Sequence, residues 1–313
     1  MMNKIIFLKD YLVDFYFNFF AKLYYTKMPV SIARKFHNYH KKCIEDYKSD
    51  FLIKNDIQDA SRGFLNNGYT QYNSKKTKEI ADKIYKKIKK IEELDSQIWE
   101  KSSNNTQRFT DDPYLKFPEI ESLLKGDLGG LVSAILGCNF DLFALTLMKS
   151  EQAEGSRYGS QLWHVDGNPG SCVNIIFYLH KIDKKFDPTS VLSFNKTLEI
   201  TKNRRVLYRQ FINNISHKTV LDKDSKAEVR RKYSNFYNSI IKTNNLSWQP
   251  TGDSGLIIAF RNNTLHRGGY PEAGNQRYAI AFNFYPSKES PNYKSYREKG
   301  IKKESSYPQI PVN

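Results

Sequence analysis

The chain has 313 residues, 39% hydrophobic and 14% aromatic, with a formal net charge of +16 at neutral pH. Its 21 Tyr and 20 Phe residues can fill a sizeable core, which excludes a disordered chain. The lysines are scattered with no nucleic-acid-binding motif beside them, so the charge reads as a solvated surface and no specific nucleic-acid partner is expected.

Three cysteines, Cys43, Cys138 and Cys172, are widely spaced and form no CxxC pair. That excludes a disulfide framework or zinc knuckle and points to a reducing, cytoplasmic compartment.

Residues 1–105 read as a helical region packed on the core. The stretch Ile5 to Tyr25 is strongly aromatic, but Lys9, Asp10, Asp14 and Lys22 interrupt it. No apolar run there approaches the ~20 residues needed to span a bilayer, and no small-residue cleavage site follows. An amphipathic helix is expected, with peripheral membrane contact through Phe15, Phe17, Phe19 and Phe20 as the alternative. His37 and His40 fall in a lysine-rich helix and are expected to be solvated. The clearest helix is Lys75 to Leu94, where Ile80, Ile84, Ile88 and Ile91 form one apolar stripe among lysines. Residues 102–106 then read as a loop. Pro118 to Leu136 reads as one helix, interrupted near Gly126, Gly129 and Gly130 and stopped by Gly137.

From Phe140 the periodicity changes. Phe140 to Met148, Val173 to Leu179, Thr189 to Phe194, Gly255 to Phe260 and Arg277 to Tyr285 are apolar, β-branched and aromatic. Short strands parted by Gly, Pro, Asn and Asp turns predict an antiparallel barrel or double sheet over 106–290. A charged, helical insertion at 200–247, carrying Arg204, Arg205, Arg209, Arg230 and Arg231, breaks the rhythm. The polar tail, 291–313, is expected to pack irregularly or fray. The fold class is mainly β with α.

His164-Val165-Asp166 follows Trp163. On an extended chain residues i and i+2 face the same way, so an imidazole and a carboxylate can reach one metal. A second histidine would complete a two-histidine, one-carboxylate face with three open positions, the arrangement of non-haem iron(II) oxygenases. Of six histidines, His266 is the best third ligand: it follows the Gly252-Asp253 turn and an apolar strand, and Arg277 opens the next strand. On that strand Arg277, Ala279, Ala281 and Asn283 share one small, polar face. A guanidinium at its end suits a small dicarboxylate, because its planar fork binds carboxylates bidentately and stays charged when buried. Asn174 either hydrogen-bonds within the site or sits on the outer face of its strand, and Trp163 either packs on the metal rim or is a core residue. Singly, each of these residues has an ordinary structural reading; their joint spacing is what carries the metal reading.

The stretch LWHVDGNPGSCVNIIFYLHKIDKKFDPTSVLSF, Leu162 to Phe194, resembles the phytanoyl-CoA dioxygenase-like family of Fe(II)/2-oxoglutarate-dependent oxygenases. So does Gly252 to Tyr285, with its Gly-Asp strand, distal histidine and arginine eleven residues on. With Pro118 to Met148 the similarity covers about half the chain; the first hundred residues and the insertion are unmatched. The resemblance implies a double-stranded β-helix (jelly-roll) core, iron(II) held by His164, Asp166 and His266, and 2-oxoglutarate held by Arg277; the strand readings add Asn174 and Asn283 as residues expected beside the cosubstrate. It implies hydroxylation of a small molecule by O2. Departures are Asp187-Pro188 for Gly-Pro, Ser193-Phe194-Asn195-Lys196 for Gly-Ser-His, and Gly268 where a hydroxyl residue assists cosubstrate binding. The intact Asp166 argues against a halogenase. The basic insertion motivates an anionic substrate: a CoA ester, a phosphorylated compound or an acidic sugar. Two alternatives remain, an oxygenase subgroup acting on sulfonates or free amino acids, and a catalytically inactive β-barrel that binds an anionic glycan or nucleic acid.

Overall fold

A computed structural model describes residues 30–45, 47, 51, 53–95, 97–102, 105–152, 159–166, 171–201, 237–242 and 246–301. The expected helix at Ile5 to Tyr25 and the five arginines of the insertion lie outside the described residues.

Two helices lead the described chain, α1 (Val30–Glu45) and α2 (Asn55–Asn67), followed by strand β1 (Tyr69–Tyr72) and helix α3 (Lys75–Leu94). The start of α3 is fixed by a capping box: Ser74 Oγ accepts from the Thr77 amide and Thr77 Oγ1 accepts from the Ser74 amide. Its stripe is buried as the spacing predicts, with Ile80, Ile84 and Ile88 in the main core. Strands β2 (Trp99–Lys101) and β3 (Thr106–Phe109) precede three short helices, α4 (Pro113–Lys116), α5 (Glu119–Leu124) and α6 (Asp127–Leu136). The single interrupted helix expected over 118–136 is thus two helices with a break at Lys125-Gly126. Asp127, 5% exposed, opens α6 and accepts from Lys54 Nζ (2.8 Å) and Ser74 Oγ (2.6 Å). One carboxylate therefore ties the starts of α2, α3 and α6. Close packing demands glycine at 129, where a Cβ would lie 1.9 Å from the Leu124 carbonyl oxygen and 2.7 Å from the Phe51 ring.

The remaining elements are β4 (Asn139–Ser150), β5 (Val173–Tyr178), β6 (Ser190–Val191), α7 (Phe194–Thr201), β7 (Ile257–Arg261), β8 (His266–Arg267), β9 (Arg277–Ser287) and α8 (Tyr293–Lys299). A seven-stranded antiparallel sheet runs β1-β7-β5-β9-β4-β3-β2. The second layer is small: β6 pairs β8, and single bridges add His164 to His266 and Trp248 to Val191. Two antiparallel layers with this interleaved connectivity form the expected jelly-roll core, with α3, α5 and α6 against the major sheet and α7 against the minor one.

The alternation in β9 partitions the molecule. Tyr278, Ile280, Phe282 and Phe284 join Ile84, Leu128 and Leu131 in the core beneath the helices. Ala279 faces the other way, with Ile258, Phe260, Leu256 and Val191, between the two sheets. That inner space is where the site lies.

Three local expectations change. The strand expected at Thr189 to Phe194 shrinks to β6, because α7 starts at Phe194. The tail does not simply fray: Asn292 caps α8 by accepting from the Ser295 amide, and Tyr296 packs edge-on against Tyr114 at 5.6 Å. His40 is not solvated, since its Nε2 lies 2.7 Å from the Leu136 carbonyl oxygen. All three cysteines are buried, and none forms a disulfide. Among the described residues no helix is long and apolar enough to cross a membrane.

Candidate metal centre

His164, Asp166 and His266 meet at the inner face of the minor sheet. The bridge that joins them is reciprocal: the His164 amide donates to the His266 carbonyl (3.0 Å) and the His266 amide to the His164 carbonyl (2.9 Å). The Asp166 amide donates to the Asn262 carbonyl at 2.9 Å, so the extended chain from 164 to 166 is pinned at both ends. Residues 164 and 166 then project to one side, as their spacing predicts.

One ligand atom from each residue falls within 4.8 Å of the others. His164 Nε2 lies 3.5 Å from Asp166 Oδ1, and His266 Nε2 lies 3.6 Å from Asp166 Oδ2. The imidazole centroids are 4.3 Å apart. Each imidazole places Nδ1 on a main-chain carbonyl: His164 on Leu162 at 2.7 Å, His266 on Thr264 at 2.9 Å. A carbonyl can only accept, so the neutral rings carry hydrogen on Nδ1 and present a bare lone pair at Nε2. This is the outer-shell arrangement that orients metal-binding histidines.

The donor set fits a divalent transition metal. Bonds of ~2.0–2.2 Å place neighbouring ligand atoms roughly 3–3.6 Å apart, and the two imidazole-to-carboxylate separations of 3.5 and 3.6 Å fall in that range. Burial pushes the Asp166 carboxyl upward, but in the metal-free protein the His266 and His164 imidazoles, in their protonated form, and the Asn174 amide outweigh it and hold the group below the usual carboxylate range. His266 is buried against the Phe260 ring (centroids 4.8 Å apart), whereas His164 and Asp166 keep 22% and 29% side-chain exposure. The centre is therefore open on the His164–Asp166 side.

Asn174 and Asn283 belong to this cluster. They are register partners on β5 and β9. Asn174 Nδ2 donates to Asp166 Oδ2, and Asn283 Nδ2 donates to Asn174 Oδ1. Asn174 thus faces inward and touches a metal-ligand candidate directly.

Arg277 is buried, at 7% exposure, but the structure does not bring it into contact with the triad. Its Nη1 donates to the Phe186 carbonyl (2.9 Å) and the Asp187 carbonyl, and its Nη2 to the Gly269 carbonyl (3.3 Å). It lies six residues before Asn283 on β9, roughly 20 Å along the strand at ~3.3 Å per residue.

Sequence reasoning missed Asn238. Its Oδ1 accepts from Trp163 Nε1 (2.8 Å) and Arg267 Nη1 (2.9 Å), while the Arg267 guanidinium lies 4.8 Å from the Trp163 ring centroid. Trp163 is a core residue on the opposite side of the chain from His164, packed with Val165, Leu192 and Leu265. Alternation about His164 and His266 signals where 163 and 267 point, but nothing in the sequence marks Asn238 as their partner.

No family model matches the sequence, and no curated protein matches it either. Solved structures that overlap it include the non-heme alpha ketoglutarate dependent epimerase SnoN from nogalamycin biosynthesis, at 10% identity and TM-score 0.48 over 74% of this chain and 82% of that one. EctD from S. alaskensis with 2-oxoglutarate and 5-hydroxyectoine overlaps at 16% identity and TM-score 0.46, over 77% and 78% of the two chains. HygX from Streptomyces hygroscopicus with nickel and 2-oxoglutarate bound overlaps at 13% identity and TM-score 0.46, over 74% and 88%. Overlap at this level leaves the chemistry of the site to its own residues.

Proposed function

We propose that this chain is an Fe(II)- and 2-oxoglutarate-dependent oxygenase of the phytanoyl-CoA dioxygenase-like type, hydroxylating a small-molecule substrate in the cytoplasm. The observation that carries the reading is the convergence of two Nε2 lone pairs and one carboxylate, each imidazole oriented through Nδ1. Two imidazoles and one carboxylate are the donor set of non-haem iron(II) oxygenases, and these three side chains would hold such an ion. When bound, iron and 2-oxoglutarate together couple oxidative decarboxylation to C–H oxidation by O2.

The protein's own contribution is binding, orientation and dryness. His164, Asp166 and His266 would hold the iron. Asn174 fixes the rotation of the Asp166 carboxylate, and Asn283 fixes Asn174. Ile258, Phe260 and Ala279 line the space between the sheets and limit water. Arg277 would hold the distal carboxylate of 2-oxoglutarate, its carbonyl contacts keeping a permanent cation buried at the far end of the same strand face. In this reading residues 1–105 form a mainly helical supporting region that also lends β1 and β2 to the major sheet, 106–290 the oxygenase domain with its insertion at 200–247, and 291–313 the tail.

The test is turnover of 2-oxoglutarate. Iron-loaded protein should convert it to succinate, faster when a substrate from a metabolite pool is present, and His164→Ala should abolish the conversion. Absence of iron-dependent succinate under all conditions would favour the alternative, a β-barrel that binds an anionic ligand without catalysis.

A further inference from the structure

We propose that His180 is a pH-sensitive positioning residue for Arg277, acting through the start of β9 and through the turn that holds the guanidinium. Its bearing on 2-oxoglutarate rests on the reading of Arg277 as the cosubstrate anchor. Strand β5 ends at Tyr178, paired with Ala279. One residue on, the Leu179 amide donates to the Tyr278 carbonyl at 3.1 Å. The Tyr278 amide donates to His180 Nε2 at 3.1 Å, so an imidazole supplies the last rung between β5 and β9, next to Arg277. The same ring packs edge-on against Phe186, with centroids 4.7 Å apart. Phe186 carries one of the carbonyls that accept from Arg277 Nη1, at 2.9 Å. One side chain thus touches both the residue after Arg277 and the turn that clamps it.

The partners of the ring fix its protonation state. An amide can only donate, so Nε2 accepts with a bare lone pair. Nδ1 lies 2.9 Å from the Lys181 carbonyl oxygen and carries the hydrogen of the neutral form. A proton added at Nε2 would set two donors against each other and place a second cation beside Arg277. Burial holds the imidazole below its ordinary value and the Arg277 charge adds to this, against the Lys181 carbonyl and Asp183, which pull it up. Asp183 is shared with Lys185, 3.9 Å away, which itself reaches over the Phe186 ring. From α3 the ring meets Tyr85, while Glu92 and Lys89 bind the far, hydroxyl end of Tyr278. A folded value below the ordinary one means that the Tyr278 bond stabilises this corner at and above neutrality. It is lost as pH falls below the ordinary imidazole range of about 6.5, and the start of β9 and the clamping turn then lose their common anchor.

Two measurements on the full chain decide it, each made at pH about 7.5 and about 5.5, either side of the imidazole range. The first is amide hydrogen exchange of the metal-free protein, corrected for intrinsic rates. On acidification the protection of residues 277–279, relative to β7, should fall about tenfold in the parent, the size of one hydrogen bond. His180→Gln, whose side-chain carbonyl accepts without titrating, should keep that protection at both pH values, and His180→Phe should lack it at both. The second is calorimetric titration of the iron-loaded, anaerobic protein with 2-oxoglutarate. The ratio of dissociation constants, parent over His180→Gln, should rise about tenfold between the two pH values. Protonation of the metal ligands is common to both proteins and cancels in that ratio. Should His180→Phe not fold, the comparison of parent with His180→Gln decides alone. An equal acid response of these two proteins, in exchange or in 2-oxoglutarate affinity, overturns the proposal. If neither protein binds 2-oxoglutarate at either pH, the cosubstrate reading of Arg277 fails, and the exchange data still decide whether His180 holds the strand.

Discussion

Asn174 donates its side-chain amide to Asp166 Oδ2, and its own carbonyl oxygen accepts from Asn283 directly across the β5–β9 pairing. A carboxylate on the minor sheet is thereby fixed by the major sheet. The two layers are linked at the point where a metal would sit.

Loss of that link should be felt by the metal. Asn174→Ala should weaken Fe(II) or Co(II) binding about 10- to 100-fold, the usual cost of removing an outer-shell partner. Metal titration checks it. Unchanged affinity would mean that Asp166 is held well enough by its backbone alone.

Arg277 should behave differently, because it touches main-chain carbonyls and not the triad. Arg277→Ala leaves the Phe186, Asp187 and Gly269 carbonyls without this donor. A stability loss of about 2–4 kcal/mol is expected for such a buried set, with metal affinity unchanged and the KM for 2-oxoglutarate raised. Denaturant unfolding, metal titration and steady-state kinetics separate these three effects.

Asp127 offers a pH-dependent stability test. Burial pushes its carboxyl upward, but the bonds from Lys54, Ser74 and Tyr72 outweigh this and hold it below its ordinary value. A depressed folded value means the carboxylate stabilises the fold above the ordinary carboxylate range and ceases to as pH falls through the folded value. Asp127→Asn should therefore cost about 2–3 kcal/mol near neutrality, and the gap to the parent protein should narrow on acidification. A gap independent of pH would show that charge plays no part.

Gly129→Ala tests the helix packing. The added methyl would lie 1.9 Å from the Leu124 carbonyl oxygen, a contact with backbone that cannot swing aside. A loss of about 3 kcal/mol or more is expected from such overpacking, read as a lowered Tm. A Tm within a degree or two of the parent would contradict the close approach of α5 and α6.

Much of this was legible in the sequence, for reasons that differ by residue. The stripe of Ile80, Ile84 and Ile88 and the alternation in β9 are periodic signals over many residues, and burial follows them. His164 and Asp166 were readable because two-residue spacing fixes a common face. The minor sheet was poorly readable: β6 and β8 have two residues each and the rest is single bridges, too short for any periodicity. The break at Gly126 depends on Asp127 reaching Lys54 and Ser74, both distant in sequence. The Arg277 contacts are to carbonyls, which every residue possesses, so no side-chain pattern announces them. Helix α8 is a short helix of seven residues set by Tyr293 and Tyr296 packing back on the body, within a tail that is otherwise polar.

The most direct measurement is anaerobic titration of the purified chain with Fe(II), beside His164→Ala, Asp166→Ala and His266→Ala. One iron per chain should bind to the parent protein, and each single variant should bind it at least about a hundredfold more weakly, as expected for losing one of three ligands. Tight binding retained in any of the three variants, or no stoichiometric binding by the parent, would contradict a shared metal at these residues.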